Sequence, residues 1–65
     1  MQLTVNGQGM KSEARDIAGL VAELGLNPLK VAIEKNLEIV PRSLYALTPV
    51  GEGDRIEIVH FIGGG

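Results

Sequence analysis

One stretch constrains this fold more than any other. Between Asp16 and Gly25 the apolar residues Ile17, Leu20, Val21 and Leu24 fall at i, i+3, i+4 and i+7, which makes an amphipathic helix with a single buried stripe. Such a stripe needs a covering layer, and the segments around it carry strand signals, so that layer is a sheet. Asp16 stands where an N-cap accepts a backbone hydrogen bond, and Gly25 where a left-handed C-cap residue belongs. Asn27-Pro28 then prevents the helix from resuming. Gly19, inside the helix, costs about 1 kcal/mol relative to alanine unless another backbone packs close to it.

The strand signals come in order. Met1, Leu3 and Val5 alternate with Gln2 and Thr4, the period of a half-buried strand. Asn6-Gly7 follows, a hairpin signal because both residues tolerate the positive φ of a type I′ turn, and Gln8 to Glu13 return with Met10 as their large apolar residue. Beyond the helix, Val31 to Glu34 reads as a short strand, Asn36 as a turn, and Leu37 to Val40 as a second short strand ended by Pro41. Arg42 to Leu47 has room for one helical turn, and Pro49 to Asp54, with Gly51 and Gly53, is a loop. Arg55 to Ile62 is the last and strongest strand. Hairpin, helix, short strands and final strand assemble most economically as a two-layer α+β domain of the β-grasp type, a small mixed sheet wrapped around one helix. The domain is expected over residues 1–62, with residues 63–65 a flexible glycine tail.

Composition narrows the function. A chain of 65 residues has room for one domain, and a 45% hydrophobic content supports a small core. There is no cysteine and a single histidine, His60, so disulfides, thiolate metal sites and Cys-His nucleophile pairs drop out, and neither a catalytic residue nor a metal is expected. Six basic against eight acidic residues, net charge −2 and no basic cluster disfavour nucleic-acid binding. No apolar run approaches the roughly 20 residues of a membrane span, and the N-terminus lacks signal-peptide features, so a cytoplasmic, membrane-free protein is expected.

The final strand carries an irregularity. If Ile56 and Ile58 face the helix, Val59 and Phe61 point to the opposite side, either exposed as a docking surface or returned inward by a twist or bulge. Directly after it the chain reads Gly63-Gly64-Gly65. A passive tail is one reading of these glycines. The other is chemical: three residues without side chains enter a channel too narrow for any other, reaching about 10 Å past the strand at roughly 3.3 Å per residue. Their tip would be the Gly65 carboxylate, ionised near neutrality at an expected pKa of about 3.3 to 3.7. A carboxylate repels nucleophiles and must be activated before it reacts, for example as a mixed anhydride with the α-phosphate of ATP. "GEGD" at Gly51 to Asp54 matches no phosphate-cradling fingerprint and reads as a turn, so the activating machinery belongs to a partner.

"GDRIEIVHFIGGG" (Gly53 to Gly65), "NLEIVPRSLY" (Asn36 to Tyr45) and the "MQLTVNG" start together resemble the sulfur carrier proteins of thiamin biosynthesis, relatives of ubiquitin in fold. The resemblance covers essentially the whole chain. It implies a protein cosubstrate, not an enzyme, with no stably bound cofactor. A ubiquitin-activating-like enzyme would use ATP to adenylate Gly65, and sulfur from a donor such as a cysteine desulfurase would replace the adenylate. The thiocarboxylate would then serve thiazole synthase, with Gly63 and Gly64 as the flexible arm. Where many relatives place a glycine after the turn asparagine this chain has Leu37, and where they often place tryptophan it has Tyr45. The run of three glycines leaves two alternatives, Gly65 as the reacting end or as a residue removed before activation.

Phe61, Val59 and Arg42 are the candidate docking residues, Arg42 being otherwise a solvated or locally paired arginine. Asp54 is expected to close the turn before the last strand, Tyr45 to pack with a wet hydroxyl, and His60 to be an ordinary strand residue. A free monomer is expected. The competing readings are a molybdopterin-synthase-type carrier, a ubiquitin-like modifier and a passive β-grasp binding module.

Overall fold

A computed structural model describes residues 1–61 of the chain, so Ile62 and the three glycines lie outside the described residues. Strands β1 (Gln2–Val5) and β2 (Gln8–Lys11) form the first hairpin. Helix α1 (Ile17–Glu23) follows, then β3 (Val31–Lys35) and β4 (Glu38–Val40) as a second hairpin, and finally β5 (Arg55–His60). The order across the sheet is β2-β1-β5-β3-β4, with β5 parallel to β1 and antiparallel to β3. This is the predicted β-grasp. The last strand is therefore the central one, and it joins the two hairpins into one sheet.

Local chemistry accounts for each element. Asp16 Oδ1 accepts the Gly19 amide at 2.7 Å, as an N-cap should. A methyl group at Gly19 would meet that same carboxylate oxygen at 3.3 Å and Ala14 Cβ at 3.7 Å, so the glycine makes room chiefly for the cap. At the other end Gly25 takes φ 71, its amide donates to the Ala22 carbonyl, and the Leu26 amide donates to the Val21 carbonyl. Those two bonds are a Schellman motif. After it, Asn27 accepts the Leu29 amide and starts a 3₁₀ turn, Pro28–Lys30, that the sequence pattern did not separate from the loop. The segment Arg42–Leu47 is also 3₁₀ and runs further than the single turn expected, packing against α1.

The core lies between α1 and one face of the sheet. Ile17, Leu20 and Val21 from the helix meet Leu3, Ile33 and Ile56 from three neighbouring strands, all essentially inaccessible to water. Each such side chain contributes about 1.5–3 kcal/mol by leaving water. Leu24 is half-buried at the end of the stripe. The expected wet hydroxyl of Tyr45 is corrected by the structure: the residue is 5% exposed, and its hydroxyl turns into the fold toward the Val31 carbonyl, 3.4 Å away. A ring this deeply packed needs a partner for its O–H within the protein.

Candidate functional site

The site of interest is the root of the C-terminal segment, and it is built by what holds β5. On one side Asn6, at φ 50 in the first hairpin turn, accepts the Ile58 amide with Oδ1 at 2.7 Å and donates from Nδ2 to the Ile58 carbonyl at 3.1 Å. On the other side Asn36, also at φ 50, accepts the Arg55 amide with Oδ1 at 2.9 Å and donates from Nδ2 to Asp54 at 3.1 Å. Both turn asparagines thus extend the sheet's hydrogen bonding onto the central strand. Their turn-forming role was legible in sequence, but their grip on β5 was not. The signal that points to it is the recurrence of asparagine at the same place in both hairpins.

The loop before β5 is closed by its own atoms. The Gly51 amide donates to Asp54 Oδ2 at 2.8 Å, the Gly53 amide to the Gln2 carbonyl at 2.8 Å, and the Asp54 amide to the Gly51 carbonyl at 3.1 Å. With these amides committed, the segment is the turn expected and offers no phosphate cradle. Burial opposes the ionisation of Asp54. The hydrogen bonds from Asn36 and Gly51, with the Lys35 ammonium 3.8 Å away, outweigh it and hold the carboxyl below its ordinary value.

At the far end of β5 the alternation runs as predicted. Ile56 and Ile58 are buried, while Val59 is 61% and Phe61 53% exposed, so no bulge returns them to the core. The Phe61 amide donates to the Lys30 carbonyl at 2.9 Å. Arg42 sits beside this point: it is the exposed, solvated arginine expected, and its Nε also donates to the Pro28 carbonyl at 3.1 Å. The exit of the chain is thus marked by two exposed apolar side chains and two nearby cations, Lys30 and Arg42. His60 is an exposed strand residue. Gly63, Gly64 and Gly65, the expected arm and reacting end, lie outside the described residues. Among the described residues no group of three His, Cys, Asp or Glu side chains is placed to hold a metal ion.

A model of the ThiS family matches residues 3–65, nearly the full length. The chain belongs to the ThiS family. It is 37% identical to the sulfur carrier protein ThiS of Bacillus subtilis over 97% of this chain and 98% of that one. A thiamine biosynthesis protein (ThiS) from Geobacter metallireducens, known from its crystal structure, superposes with a TM-score of 0.86 at 32% identity, each chain covered completely. A thiazole synthase of Paramagnetospirillum magneticum is 50% identical over the whole of this ThiS-family chain, which spans about a fifth (20%) of that protein's length.

Proposed function

We propose that this ThiS-family chain is a sulfur carrier in thiamin biosynthesis, a cosubstrate whose Gly65 carboxylate is the reacting group. A partner adenylating enzyme uses ATP: a carboxylate oxygen attacks the α-phosphorus, pyrophosphate leaves, and the acyl adenylate forms. A persulfide from a donor of the cysteine-desulfurase type then attacks the acyl carbon with its outer sulfur and AMP departs with the electron pair, giving an acyl disulfide. A partner's thiol attacks the donor-side sulfur of that disulfide, so the S–S bond breaks, the donor leaves as a new disulfide, and the chain's end is released as the thiocarboxylate. The receiver is thiazole synthase. A protein of that name containing a 50% identical counterpart of this chain supports that choice. Val59, Phe61 and Arg42 dock the adenylating enzyme, which must find the strand before it takes the tail.

The observation that carries the reading is the family match through residue 65, joined to an exposed apolar exit from a strand held on both sides. Two measurements on the protein from a sulfur-competent host test it: intact mass, and treatment with a thiol alkylator followed by mapping of the C-terminal peptide. With no cysteine in the chain, an alkylated C-terminus is expected only from a thiocarboxylate. A chain that stays unmodified after incubation with ATP, a sulfur donor and the activating enzyme would refute the proposal.

A further inference from the structure

Where α1 packs against the 3₁₀ segment Arg42–Leu47, an open groove of about 360 Å³ remains between them. That volume lies within the range of small-molecule sites, about 300–1,000 Å³. Val21 and Tyr45 are its buried members, and the Tyr45 hydroxyl is taken by the Val31 carbonyl, so the residue lends the groove apolar surface. Ala18 and Ala22 from the helix and Ala46 from the 3₁₀ segment are too short to close the gap. Apart from the Ser43 hydroxyl, the polar side chain at the groove is that of Arg42, and none of the lining residues is acidic. Arg42 Nε is tied at 3.1 Å to the carbonyl of Pro28, itself part of the lining, which holds the guanidinium at the groove. Among the described residues no carboxylate comes within 4.0 Å of it. A cation kept beside apolar surface without a counter-charge is one half of a recognition pair.

We propose that this groove binds a small organic acid, its apolar body seated between α1 and the 3₁₀ segment and its carboxylate paired with Arg42. With Nε engaged, the two terminal nitrogens of the guanidinium supply the paired N–H donors that fit a carboxylate. Charge selects the class of ligand: a neutral apolar molecule leaves Arg42 unserved, and a cation is repelled. It also argues against a second copy as the occupant, because a two-fold pairing of this groove brings two arginines together with no acidic lining residue to meet them. The acid shares Arg42 with the enzyme-docking residues proposed above, but its binding is read on the free chain and stands independently of the carrier function.

The test titrates the full isotope-labelled chain with hexanoate and with hexanamide, its neutral isostere, by NMR. Saturable shifts are expected at the amides of Ala18, Ala22 and Ala46, with hexanoate bound about fivefold more tightly than hexanamide. Arg42→Gln brings hexanoate down to the affinity of hexanamide and leaves hexanamide unchanged. Ala22→Leu, at an exposed helix position that leucine suits, fills the groove and weakens both ligands about fivefold or more. Should a variant fail to fold, the comparison of the two ligands on the wild type decides alone. Equal affinity for both ligands, shifts that scatter over the surface or never saturate, or a hexanoate affinity that Arg42→Gln leaves intact each overturns the proposal. So do shifts at the three alanines on dilution of the free protein, which give the groove to a second copy, or in Ile62→Ala, which give it to the chain's own end.

Discussion

At the scale of the residue, conformation and charge set measurable terms. Asn6-Gly7 and Asn36-Leu37 occupy equivalent turns, with φ values of 50 and 81 in the first and 50 and 73 in the second. Only the second forces a side-chain-bearing aliphatic residue into the left-handed region. Leu37→Gly is therefore expected to stabilise the free chain by about 0.5–1 kcal/mol, the strain relieved less the added entropy of glycine in the unfolded state. Thermal unfolding checks this. Asp54 contributes with a pH dependence. Its folded-state pKa is lowered, so its contribution is present at neutrality and disappears as pH falls through the folded-state value. Asp54→Asn should unfold at a lower Tm than wild type at pH 7, the gap closing in acid. Glu23, held low by the Ser12 hydroxyl and then the Glu13 amide, keeps some acid sensitivity in both proteins.

At the scale of the element, the question is what fixes β5 between two hairpins. Asn6 reaches Ile58 across 52 positions of sequence. Asn6→Gly preserves the turn but removes both side-chain bonds, and a loss of about 1–3 kcal/mol is expected in chemical denaturation. The alternation of β5, the helix stripe, its N-cap and its glycine C-cap were all legible, because each is written in spacings of a few residues. The exposed docking candidates Val59 and Phe61 followed from that same alternation. Which strands neighbour which was not written locally. Glu34, Glu57 and Ile39 each look like ordinary strand residues until the register of β3 with β5 and β4 sets them side by side. Likewise the inward turn of the Tyr45 hydroxyl depends on Val31, fourteen residues away.

At the scale of the whole molecule, the hairpins share one sheet only through β5, so the fold is expected to open as a unit. In hydrogen exchange the amides of Ile56 and Ile58 should show the protection of global unfolding, while those of edge strand β4 exchange faster through local opening. If Ile56 and Ile58 exchanged as fast as β4, β5 would be separable from the rest and this view of the fold would fail. The tail chemistry proposed above was read from composition and terminal residues alone, and it falls on glycines outside the described residues. The platform behind it was legible only in three dimensions. The parallel run of β1 beside β5 has a mechanical consequence. Where tension acts along the axis of β5, the bonds from its neighbours lie across that axis. They are loaded in shear, many together, and do not peel one after another. A pull along this strand meets an anchor rather than a zip.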